Sequence, residues 1–249
     1  MITNPASGTN VHEIASGIYR INTPIQIPGG PEFNFNQYLI ADDAPLLFHT
    51  GPRRMFPLVA EAIAGVLPLE TLRYVAFSHF EADECGSLND FLAAAPGAVA
   101  VSSQVAAMVS VNDIAIRAPR PMTDGEVLRT GRHAFKWLDA PHVPHAWENG
   151  FMMELETRTL LCGDLFTTGE SIDGALTERD ILGPSEAFRQ QMDYYAHAPQ
   201  TAATLEKLAR EHPLVLAVMH GSAWQGNGAA LLRALARTLS GNTSYAKAA

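Results

Sequence analysis

Residues 78–86 read Ser78-His79-Phe80-Glu81-Ala82-Asp83-Glu84-Cys85-Gly86 and follow directly on the apolar run Arg73-Tyr74-Val75-Ala76-Phe77. A histidine and two carboxylates stand at every second position, and Glu84 adds a further acid. In an extended chain such residues turn to one side, so His79, Glu81 and Asp83 are expected to face one cavity. Acids crowded at the end of a buried strand repel one another, and a bound cation is the natural relief.

Further candidate ligands fall at other strand ends. His142 and His145 follow Lys136-Trp137-Leu138-Asp139-Ala140, Asp164 follows Leu160-Leu161-Cys162-Gly163, and His220 follows Leu216-Ala217-Val218-Met219. Pro141 and Pro144 keep the segment around His142 out of a helix, so His142 and His145 should not share a helical face. His145 is the expected ligand of the two, and His142 is expected beside the site, orienting a ligand. Strand ends carrying His or Asp from separate parts of the chain are a more specific signal than any single motif.

Around these positions the pattern predicts strands over 17–28 and 34–50, the second broken by a turn at Asp42-Asp43-Ala44-Pro45. A helix is predicted over 55–66, the buried strand ending in Ser78 comes next, and a short helix spans 87–95. A strand over 98–102, a helix over 103–110 and a hairpin region over 126–138 follow. Residues 150–166 hold two strands around Thr157-Arg158. Helices over 185–196 and 200–211, a strand ending at His220 and a closing helix from 226 complete the chain. Strands first, then alternating strands and helices, predict an α/β protein with two sheets between helical layers. No repeat or Pro/Gly/Ser linker divides the 249 residues, so one domain over 1–249 is expected.

Seventeen basic and 26 acidic residues give a formal charge of −9 without a basic cluster, which argues against nucleic acid as a partner. The polar start lacks the layout of a signal peptide, and no apolar run approaches a membrane span. Cys85 and Cys162 are too few for a disulfide framework. A cytoplasmic protein is expected.

This succession resembles the metallo-β-lactamase superfamily. Its usual signature is H-x-H-x-D-H, and here the place reads His79-x-Glu81-x-Asp83-Glu84. Glutamate for the second histidine is similar to the flavodiiron branch and the stand-alone oxygen-binding di-iron proteins (ODP). The stretch 36–52 with its Thr50-Gly51, the aromatic 193–199 and His220-Gly221-Ser222-Ala223-Trp224 are similar to segments of the same branch. The resemblance runs from about Gly17 to the final helix and implies a four-layer αβ/βα sandwich. It implies one metal held by His79, Glu81 and His145, a second held by Asp83 and His220, and Asp164 bridging them. Position 84 is a histidine ligand in the branch; Glu84 either binds in its place or turns away.

The resemblance implies two iron ions that bind and reduce O2 or NO. Flavodiiron proteins carry a flavodoxin domain with FMN after this one, for which the chain has no room before Ala249, so an external electron-donor protein is expected. The branch's reason for pairing subunits then lapses, and a homodimer stays open. Ligand chemistry points toward iron as well. Glu81, Asp83, Glu84 and Asp164 match the charge of two divalent cations, and two histidines with a carboxylate suit ferrous iron. A zinc or mixed iron/zinc hydrolase of a lactone, thioester or similar ester is the alternative, and a sensor or carrier of O2 or NO is a second.

Overall fold

In the computed structural model, which describes residues 1–241, the strands assemble into two sheets. The first pairs in chain order β1 (Ile2–Asn4), β2 (Thr9–Ala15), β3 (Ile18–Gln26), β4 (Glu32–Ile40), β5 (Leu46–Phe48), β6 (Tyr74–Ala76), β7 (Val99–Ser103) and β8 (Arg120–Met122). It is antiparallel as far as β5 and parallel from there to β8. The change follows the connections. A turn joins β4 to β5, whereas β5 reaches β6 only through helix α1 (Phe56–Ala64), the crossover that parallel strands need.

The second sheet runs in the order β13 (Leu176–Thr177), β15 (Ala223–Gln225), β14 (Val215–Ala217), β12 (Thr159–Leu161), β11 (Gly150–Glu154), β10 (Ala134–Asp139) and β9 (Val127–Arg129). The remaining helices are α2 (Ala82–Cys85), α3 (Leu88–Ala94), α4 (Gln104–Ala106), α5 (Asn112–Ile114), α6 (Leu182–Met192), α7 (Thr201–Ala209) and α8 (Gly228–Leu239).

Three apolar layers define a helix–sheet–sheet–helix sandwich. Leu39, Val75 and Phe77 pack under Val59 and Ile63 of α1 and under Phe91 and Leu92 of α3. Tyr38, Phe48, Phe135, Trp137 and Met152 fill the space between the sheets. Phe151, Leu160 and Leu216 pack against Leu205 and Leu208 of α7 and Leu232 and Leu235 of α8. Leu39 and Tyr38 go to opposite layers because successive strand side chains point to opposite faces. This is the αβ/βα architecture expected from the sequence.

A polar seam crosses between the sheets at the end of β14. The Tyr38 hydroxyl donates to the Val218 carbonyl at 2.7 Å, and Asn36 Nδ2 donates to the carbonyls of Val218 and Gly221 at 2.9 and 2.8 Å. Buried Arg20 donates to the same Gly221 carbonyl at 2.8 Å. These bonds fix the loop that carries His220.

Several elements differ from the sequence reading. The acids after Glu81 do not continue extended. Cys85 N–H donates to Glu81 O at 3.0 Å and Gly86 N–H to Ala82 O at 2.9 Å, winding Ala82–Cys85 into one helical turn. The helix expected over 185–196 lies at Leu182–Met192, where Pro184 is tolerated in the first turn and Asp193 ends it at φ 46°. The helix expected over 103–110 passes through a π-helical stretch, Ala107–Val111, and reaches Ile114. Strands β1, β2, β8, β13 and β15 were not anticipated. Among the described residues no helix is long and apolar enough to cross a membrane.

Gly150 N–H donates to the Ser78 carbonyl at 2.9 Å, joining the second sheet to the strand end ahead of His79. A Cβ at Gly150 would collide with the buried Trp137 ring. Gly150→Ala is expected to destabilise the fold by about 1–3 kcal/mol through overpacking. Denaturant unfolding measures this, and an unshifted midpoint would contradict the account.

Candidate metal centre

Loops and one helical turn at the ends of β6, β10, β12 and β14 bring seven of the predicted side chains together. His79 follows β6, Glu81 caps α2, and Asp83 and Glu84 lie on that turn. His145 follows β10, Asp164 follows β12, and His220 follows β14. The potential ligand atoms of His79, Glu81, His145 and Asp164 lie within 4.8 Å of one another, as do those of Asp83, Glu84 and His220.

In the first group His79 Nε2 stands 3.0 Å from His145 Nε2 and 3.1 Å from Glu81 Oε2. His145 Nε2 is 3.3 Å from both Glu81 Oε2 and Asp164 Oδ2. Asp164 then turns its other oxygen, Oδ1, to His220 Nε2 at 3.4 Å, and Asp83 Oδ2 lies 3.2 Å from that nitrogen. Bonds of about 2.1 Å to one cation, at about 90–110°, would set neighbouring ligand atoms about 3.0–3.4 Å apart. The observed separations have that size, with Asp164 shared between the groups.

Hydrogen bonds fix which nitrogen each buried imidazole offers. His220 Nδ1 lies 2.7 Å from the Asn34 carbonyl, which can only accept, so Nδ1 is the donor and Nε2 faces the site. The Ser78 N–H donates to His49 Nε2 at 3.3 Å, making that nitrogen an acceptor and leaving His49 Nδ1 to donate to Met219 Sδ at 3.0 Å. Ser78 Oγ lies 3.0 Å from the same His49 Nε2 and 2.9 Å from His79 Nδ1. With its proton on His49, Ser78 Oγ accepts from His79 Nδ1, and the lone pair of His79 Nε2 is left for a ligand bond.

The electrostatics are those of anions confined together. Glu84 is fully buried, and neither of its carboxylate oxygens has a hydrogen-bond partner among the described residues. Burial, then Asp164 and Asp83, pushes its carboxyl well above the ordinary range. Burial acts the same way on Asp164, but the hydrogen bond from His220 and neighbouring imidazoles outweigh it and hold the group well below that range. The adjacent His145 and His79 imidazoles lower Glu81 to about 2. Burial pulls His220 down, yet Asp164 and Asp83 raise it to about 10.

A cavity of about 410 Å³ opens over both groups, walled by Phe33, Phe35, Phe188, Met192 and Tyr194. Of Phe80, Trp147, Tyr194, Tyr195 and Trp224, Tyr194 lines this cavity. Phe80 and Trp147 are exposed outside it, Tyr195 packs in the outer core, and Trp224 Nε1 donates to the Arg179 carbonyl. His142 does not join the cluster. Its backbone N–H donates to Ala146 O at 2.8 Å, bracing the turn that presents His145. Cys85 is buried with Sγ 3.2 Å from the Glu81 carbonyl, in keeping with a packing residue.

His49, assigned no role from sequence, is fully buried and positions His79 through Ser78. The signal was available, since His49 also ends a strand, β5. Glu148 was missed as well: its Oε1 accepts from Phe80 N–H at 3.0 Å and pins the backbone between His79 and Glu81.

Comparison with known proteins places these features in a lineage. Diflavin flavoprotein A 1 of Nostoc sp. is 29% identical over 113 residues, which are 44% of this chain and 19% of that protein. The matched stretch spans only about a fifth of that relative's length. Rubredoxin oxygen:oxidoreductase from Desulfovibrio gigas superposes with a TM-score of 0.79 at 20% identity, over 93% of this chain and 62% of that one. The flavodiiron core of Flv1 from Synechocystis sp. superposes with a TM-score of 0.77 at 21% identity, over 93% of this chain and 61% of that one. At these identities the structural matches establish the fold, that of a flavodiiron metallo-β-lactamase-like core. The profile described as "ODP family beta lactamase" matches residues 33–221, a span that contains all seven converging side chains, and the chain belongs to that family.

Proposed function

We propose that this chain is a non-haem di-iron protein that binds and reduces O2 or NO with electrons from an external donor protein. The observation that carries the reading is the carboxylate-rich pair of ligand groups joined through Asp164. His79, Glu81 and His145 would hold one ion, and Asp83, Glu84 and His220 the other, with Asp164 between. The unpartnered oxygens of buried Glu84 fit this assignment, since an unpaired buried carboxylate is costly and a cation removes the cost. Four carboxylates offset the charge of two divalent cations, which weakens their Lewis acidity and favours electron transfer over polarisation of a carbonyl.

When bound, ferrous iron would supply electrons and open positions for a diatomic ligand. The chain's own residues would do the rest. Phe33, Phe35 and Phe188 line the cavity with apolar surface, and the Asn34 carbonyl and Ser78 hold His220 and His79 in the ligand tautomer. Burial raises the Tyr194 phenol to about 12, so it keeps its proton at neutral pH in the cavity wall.

The cavity favours one second reading. A small molecule of water size takes about 30 Å³, so 410 Å³ leaves room for the ester or lactone of a zinc or mixed iron/zinc hydrolase. Metal analysis on protein purified without oxygen separates the two: iron supports the first reading, zinc with esterase or lactonase turnover the second.

Protein loaded anaerobically with Fe(II) is expected to change its absorption spectrum on mixing with O2 or NO and to consume the gas. Neither change occurring would sink the proposal. Glu81→His is expected to move metal preference toward zinc in competitive loading, and unaltered iron selectivity would refute the ligand-charge argument.

At neutral pH metal-free His220 carries a proton where the ion would sit, because its pKa stands near 10. Its contribution to metal-free stability is present below about 6.5 and is lost as pH rises toward 10. Metal affinity is thus expected to rise with pH over that window, with proton release on binding. Calorimetry in buffers of different ionisation enthalpy reads the release, and pH-independent binding would exclude His220 as a ligand.

A further inference from the structure

Glu84 differs from the other acids of the site in its surroundings. Glu81 receives two imidazoles, Asp83 faces His220, and Asp164 faces all three histidines. Glu84 has only one ion-pair neighbour among the described residues, His79, with Oε2 3.8 Å from Nε2. That separation matches the 3.6 Å between the same nitrogen and Asp164 Oδ2. Yet Glu84 also completes the other group, within 4.8 Å of the ligand atoms of Asp83 and His220. Its carboxylate therefore reaches toward both groups, as that of Asp164 does.

We propose that Glu84 is a second bridging carboxylate, placing one oxygen on each of two cations alongside Asp164. The inference rests on the dinuclear reading above and deepens it. Helix geometry explains how adjacent acids divide the work: successive residues on a helical turn point about 100° apart. Asp83 is turned to His220 and keeps partial exposure, while Glu84 is turned inward, where its side chain is fully buried. A terminal ligand would need one oxygen near one ion; a carboxylate with both oxygens dry and unpartnered has the capacity for two. Negative charge between two like-charged ions also screens their repulsion, which a neutral imidazole at this position could not do.

The test uses full-length metal-free protein titrated with Mn(II), comparing wild type with Glu84→Gln and Glu84→Asp by calorimetry and by electron paramagnetic resonance of the loaded pair. Wild type is expected to take two ions per chain with an exchange-coupled spectrum. Glu84→Gln is expected to weaken both binding steps by about tenfold or more and to alter the coupling, with partial recovery in Glu84→Asp. Both steps within about threefold of wild type, or a loss confined to the second step, would overturn the bridge while leaving the dinuclear reading intact. Failure of wild type to bind two ions would instead overturn that reading. Should the variants not fold, a crystal of wild type grown with Mn(II) decides: one Glu84 oxygen on each ion supports the bridge, and any other placement removes it.

Discussion

Mutual repulsion among carboxylates is the constraint around which the molecule is arranged. Asp164 and Glu84 are buried beside Asp83 and Glu81, in a setting where charge is poorly screened. Imidazoles offset three of the four acids. The fourth, Glu84, has neither a hydrogen-bond partner nor a Lys or Arg within ion-pairing distance among the described residues. A fold selected for stability alone would place an apolar side chain there, because a buried carboxyl without a partner is costly, whether it stays ionised or takes up a proton to avoid charge. The sandwich tolerates it because its interlayer core and the two outer cores supply the cohesion elsewhere.

Geometry at the site depends on bonds that lie outside the ligand groups. The loop carrying His220 is fixed by Tyr38, Asn36 and Arg20 from the opposite sheet, so the relative placement of the sheets sets the position of that imidazole. On the other side, His79 is aligned through Ser78 and His49, and His49 in turn rests on Met219, one residue before His220. The two histidines are therefore coupled through a short path of hydrogen bonds as well as through Asp164. Polar groups at this depth are costly to leave unpaired, and the seam and relay pair most of them while specifying one arrangement.

Much of this was readable in the sequence. The layer architecture followed from strand and helix patterning together with a family resemblance, and the seven converging residues were named from strand ends, with Glu84 added from the acidic motif beside Asp83. What the sequence hid has physical causes. An i, i+2, i+4 pattern of acids reads as extended chain, but the turn at Ala82–Cys85 is decided by backbone bonds to Glu81 and Ala82 that no side-chain pattern reports. Strands of three residues or fewer, such as β13 and β15, are too short to show a period. The N-terminal hairpin of β1 and β2 reads as polar because its outer face is exposed, and few of its residues, Val11 and Ile14 foremost, turn into cores. His49 escaped notice although it too follows a strand, because its role arises from Ser78, twenty-nine positions away. His142 was given a part that its backbone alone performs.

The converging side chains come from strand ends in both sheets, spread from His79 to His220. During synthesis the acidic segment leaves the ribosome long before its last partner, so a nascent N-terminal half has no complete pocket for a cation. The second group lacks His220 until β14 has docked, so an ion shared between the two groups would be a late event in maturation rather than a nucleus for it. Before that moment the crowded acids favour separation of the halves; afterwards an ion held between them would act as a rivet, and its loss would loosen the junction of the sheets first.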